Sequence, residues 1–162
     1  MTRLRTWLTA AAFVACIAPP DGAAARSHSA DGQASVLSKS VTYQVSPDHT
    51  VIMSMSEQAF TAKDASSPLN NATGPCFGEV ALKGKSATGD GYCTWTDGEG
   101  QAILIAWEVA GTDDKGQLFG KWLLIGGKGK WTSASGGGNW QFAPTDTENR
   151  LVNSLTGTIA FK

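Results

Sequence analysis

The chain has 162 residues, with 13 Lys and Arg against 14 Asp and Glu for a formal net charge of -1, and its charges are scattered without blocks. Nucleic acid or an anionic membrane surface would find no basic patch to hold it. Nineteen glycines and six tryptophans stand beside only 17% charged residues, a balance that belongs to chains of many short strands and tight turns rather than to disorder.

Residues 1–25 read as an export signal. Arg3 and Arg5 form a basic start, Trp7 to Ala18 is an apolar stretch too short to span a bilayer, and Ala23-Ala24-Ala25 offers a cleavage site. Two alternatives stand beside it: a buried N-terminal helix, and a lipoprotein signal in which Phe13-Val14-Ala15-Cys16 approaches a lipobox. Export would place the mature chain in the periplasm or outside the cell. Residues 26–38 are small and polar with no period, so they read as a flexible arm. Residues 39–162 then make up one β domain.

From there on, apolar side chains recur at every second position between Gly, Asp, Asn and Pro, which marks half-buried strands; no stretch sustains a helical stripe. Strands are predicted from Val41 to Val45 and from Val51 to Ala62, with a turn at Pro47-Asp48-His49, followed by a polar loop from Lys63 to Pro75. Cys76, Val80 and Leu82 then share a face with Gly78, while Phe77, Glu79, Ala81 and Lys83 take the other. After a turn spanning Gly84 to Gly91, Cys93 and Trp95 share the inward face. Asp97-Gly98-Glu99-Gly100 is a hairpin turn. Ile103, Ile105, Trp107 and Val109 face inward next, then Leu118, Gly120, Trp122 and Leu124. Beyond a glycine-rich turn from Gly126 to Trp131, Trp140 and Phe142 face inward, and the last strand buries Leu155, Ile159 and Phe161.

With Cys16 in the signal, Cys76 and Cys93 remain as an even pair in a compartment that permits disulfides, and they are expected to bond; two free buried thiols are the alternative. About eight antiparallel strands without helices can close as a barrel or stack as a sandwich. Closure is the expectation, because it removes exposed edges.

The run from Gly120 to Trp140, Gly-Lys-Trp-Leu-Leu-Ile-Gly-Gly-Lys-Gly-Lys-Trp-Thr-Ser-Ala-Ser-Gly-Gly-Gly-Asn-Trp, resembles bacterial secreted proteins similar to the allene oxide cyclase barrel and the dirigent proteins. The segment from Cys76 to Asp97 looks like the same group, so the resemblance covers roughly residues 40–162, with Trp131 standing where the turn more often has Tyr or Phe. It implies an eight-stranded barrel with a hydrophobic interior, in a superfamily that holds both cyclases and proteins that guide radical coupling. The cyclase's catalytic residues have no counterparts placed on this chain, so no such activity carries over.

Few residues suggest chemistry. His28 and His49 are the only histidines, and neither has a Cys or carboxylate at metal-ligand spacing, so no metal site is predicted and no motif calls for a cofactor. The turn at Gly126 to Gly129 precedes a strand and lacks the helix amides that bind phosphate. Glu79 and Glu108 would matter at a barrel mouth, but alternation places both outside. Asn71-Ala72-Thr73 is a glycosylation sequon, relevant only in a eukaryotic host. Trp95, Trp107, Trp122 and Trp140 all map to the inward face and are the candidate ligand-binding residues, with solid core packing as the competing reading.

Three functions fit this fold: an exported barrel that binds a small apolar or aromatic molecule, an isomerase or cyclase acting in the cavity, and a structural or envelope-interaction protein with a packed core. An interior void of roughly 300 Å³ separates the first two from the third. The ligand and the oligomeric state are open at this level.

Overall fold

The computed structural model describes residues 26–162, so the export signal and Cys16 lie outside the described residues. Ten antiparallel strands follow in chain order: β1 (Arg26–Ser29), β2 (Gly32–Ser38), β3 (Val41–Ser46), β4 (His49–Ala62), β5 (Thr73–Lys83), β6 (Ser86–Thr96), β7 (Ala102–Thr112), β8 (Leu118–Gly127), β9 (Ser135–Pro144) and β10 (Arg150–Phe161). A single 3₁₀ turn, Gly129–Thr132, links β8 to β9. The ring runs β2-β4-β5-β6-β7-β8-β9-β10, and β10 pairs with both β9 and β2, which closes the sheet on itself. The fold is therefore an eight-stranded barrel and not a sandwich.

Ten strands make eight staves because the first three are one. β1 pairs with β10 from Arg26↔Phe161 to Ser29↔Thr158, and β2 continues along β10 from Gly32↔Leu155 without a change of register. β2 and β3 likewise share one register along β4, from Gly32↔Ala62 to Gln44↔Thr50. Residues 26–38, expected to be a flexible arm, thus hold β1, paired with β10, and β2, paired with β10 and β4. Ala30, Gly32, Ala34 and Val36 alternate as buried positions with the polar Asp31, Gln33 and Ser35 between them. The buried residues are small because the β4 side chains lean over them: a Cβ on Gly32 would collide with the Phe60 ring.

The two ends of the barrel differ. At one end Phe60, Leu69, Trp95, Trp131, Ile103 and Ile159 are fully buried and fill the interior. The Phe60 and Trp95 rings stack at 5.8 Å, and Trp131 meets Phe161 edge to face at 5.4 Å. The loop between β4 and β5 caps this end, with Leu69 and Ala72 tucked inside and Ser67 Oγ donating to the Ser29 carbonyl at 2.7 Å. The 3₁₀ turn pushes Trp131 in from below. Its indole Nε1 donates to Asp97 Oδ2 at 2.8 Å, and Lys130 Nζ lies 3.1 Å from the same carboxylate. Asp97 Oδ1 also accepts the backbone N–H of Glu99 and Gln101, so this one side chain ties the β6–β7 turn to the plug.

Cys76 and Cys93 face each other directly across β5 and β6 and are bonded. Replacing both by serine is expected to lower stability by about 3 kcal/mol, the chain-entropy value for a loop of this length. Urea unfolding with and without reductant checks this, the reduced wild type matching the double variant.

Candidate functional site

The opposite end of the barrel is hollow. A cavity of about 270 Å³ opens toward the β3–β4, β7–β8 and β9–β10 turns and reaches inward to Trp95 and the disulfide. Trp95, Trp107, Trp122 and Trp140 all line it, together with Ile105 and Phe142. They converge because β6, β7, β8 and β9 are adjacent and each turns alternate residues inward.

Glycines make room for the large rings. A Cβ on Gly78 or Gly91 would strike the Trp107 indole, and one on Gly120 would meet Trp140 and the Glu108 carbonyl. Trp107 and Trp140 stand edge to face at 6.2 Å, and Phe142 extends the wall at 5.1 Å from Trp140. Two of the indoles are fixed by backbone carbonyls, Trp122 Nε1 donating to Thr156 at 3.1 Å and Trp140 Nε1 to Lys121 at 3.0 Å. Trp95, Trp122 and Trp140 are buried, whereas Trp107 is only partly covered.

Facing these rings are residues that sequence reasoning did not single out: Ser56 and Gln58 on β4 and Asn153 on β10, all buried and all on the cavity wall. The signal that could have found them is parity, since Ile52, Ser54, Ser56, Gln58 and Phe60 fall on one face of β4. None of the described residues lining the cavity is ionisable apart from the bonded cysteines.

Glu79 and Glu108 stand exposed on the outer wall, as alternation indicated, where Asp90 sits between them in the pairing of β5, β6 and β7. His28 packs edge to face on Phe161 at 5.7 Å in β1, and His49 opens β4. Among the described residues no three His, Cys, Asp or Glu side chains converge as metal ligands, and no helix is long and apolar enough to cross a membrane.

No protein-family model matches the chain, and no curated protein does. Among solved structures, a pterocarpan synthase dirigent protein matches with a TM-score of 0.51 and 14% identity, over 85% of this chain and 90% of that one. Likeness at that level of identity is likeness of fold. The closed ring and the structural match agree: the chain is an eight-stranded antiparallel barrel whose fold is like that of a dirigent protein.

Proposed function

We propose that this protein is an exported barrel that binds a small, uncharged apolar or aromatic molecule in its open cavity. The observation that carries the reading is the lining itself: four indoles around a void of about 270 Å³, with no charged side chain among the described residues that line it. That volume lies just below the usual lower bound for small-molecule pockets, about 300 Å³. A solid structural core would leave no such space. An isomerase or cyclase moving protons would need an acid or base on the wall, and the carboxylates at 79 and 108 point away from it. Export is supported by the buried disulfide and by the signal-like residues 1–25.

Titrating tryptophan emission with a panel of hydrophobic compounds tests the reading, because any occupant of the cavity touches several indoles. Quenching or a blue shift that saturates is expected for at least one compound. A flat response across the panel would count against binding and in favour of the structural alternative.

A further inference from the structure

The cavity is two-sided. Opposite the indoles, β4 turns Ser54, Ser56 and Gln58 inward and β10 turns Asn153 inward. Gln58 and Asn153 approach each other over β2, where Ala34 is the partner of Asn153 and Val36 the partner of Gln58. Ser56, Gln58 and Asn153 are 9%, 5% and 7% exposed. Neutral polar groups so deeply placed cost free energy unless their hydrogen bonds are made.

Here they are made in the middle and open at the ends. Asn153 Nδ2 donates to Gln58 Oε1 at 3.5 Å, and Gln58 Nε2 donates to Ser56 Oγ at 3.3 Å. Asn153 Oδ1 is buried without a partner, and the Ser56 hydroxyl donates to no protein group among the described residues. Turning both amides over would reverse the relay, leaving an acceptor at Ser56 and a donor at Asn153. In either direction the relay ends in one donor and one acceptor. Trp95 Nε1 is likewise buried without a partner among the described residues.

We propose that the Ser56 end of this relay is the polar anchor of the binding site and that the ligand is a neutral, flat apolar molecule carrying one hydrogen-bonding group, as a carboxamide or lactam does. The proposal rests on the cavity being a binding site at all. An anion or cation is disfavoured because no charged group among the described residues lines the cavity to offset its desolvation.

Equilibrium dialysis of the purified protein against naphthalene, 2-naphthamide and 2-naphthoate tests it. The amide is expected to bind about tenfold more tightly than naphthalene, the increment of one or two net hydrogen bonds, and the carboxylate more weakly than either. Ser56→Ala should bring the amide down to the level of naphthalene and leave naphthalene itself within about twofold, whereas Asn153→Leu, at the far end, should keep a preference for the amide. Ser56→Ala removes a single oxygen, so its melting temperature should stay near the wild-type value and its result stands if Asn153→Leu fails to fold. Equal binding of amide and naphthalene by the wild type, or a preference that survives Ser56→Ala, overturns the relay while naphthalene binding keeps the cavity reading. Failure of all three probes to bind overturns both.

Discussion

Asp97→Ala is expected to lower stability by about 2–3 kcal/mol, the range for losing hydrogen bonds to a charged group and leaving a buried donor unpartnered. In a domain of this size that is a fall in Tm of order 10 °C. The single carboxylate serves four donors: the backbone N–H of Glu99 and of Gln101, the Trp131 indole and Lys130. Alanine would leave the Trp131 Nε1, at the centre of the plugged end, without an acceptor. Burial by itself pushes the Asp97 carboxyl up, but the Gln101 amide, the Trp131 indole, Lys130 and the Glu99 amide together outweigh it and hold it below its ordinary 3.8. A depressed folded value means that the contribution is complete above the ordinary carboxylate range and is lost as pH falls below about 4 through the folded value. Lys130 behaves in the opposite sense. Burial pulls it down, Asp97 and Glu99 more than restore it, and it sits above 10.5, so its share is lost only as pH rises past that point. Calorimetric Tm measured against pH should therefore fall steeply on the acid side for the wild type and more gently for Asp97→Ala. Parallel acid limbs would show that Asp97 is not the group responsible.

This knot was only half legible in the sequence. Asp97-Gly98-Glu99-Gly100 reads as a turn from its glycines, and it is one, but nothing local says that the aspartate also reaches a tryptophan 34 residues on. Strand alternation fared better, since period two survives wherever the buried residue is large. It placed Trp95, Trp107, Trp122 and Trp140 on one interior and Cys76 opposite Cys93. It missed β1 and β2 of the first stave because Ala30, Gly32 and Ala34 are too small to register as a hydrophobic stripe, with Phe60 of the neighbouring β4 lying over Gly32. The turn expected from Gly84 to Gly91 shrinks to two residues for a related reason. Gly89 and Gly91 lie within β6, and Gly91 is there because Trp107 lies over it, so a glycine that punctuates a loop elsewhere marks close packing here. Serine, glutamine and asparagine at inward positions carry no such mark; only the closed ring shows that they meet.

Trp107→Ala is expected to weaken binding of naphthalene by about tenfold to a hundredfold, the combined loss of an aromatic contact and of buried apolar area. Among the four indoles it is the one whose removal separates binding from folding. Trp122 and Trp140 are buried and hold backbone carbonyls through their ring nitrogens, so truncating either would cost about 3–5 kcal/mol of stability and empty the wall at the same time. Trp107 is only partly covered, forms no hydrogen bond through its ring among the described residues, and rests on Gly78 and Gly91, perpendicular to Trp140. Its loss should leave the strands in place and strip one face from the ligand. Trp107→Phe keeps an aromatic face over the same glycines and should recover most of the affinity, which a purely volumetric effect would not require. Equilibrium dialysis on both variants, with circular dichroism melts beside it, reads the two effects apart. If Trp107→Ala binds naphthalene as the wild type does while melting normally, the occupant does not lie against this wall and the indoles serve the barrel as packing alone.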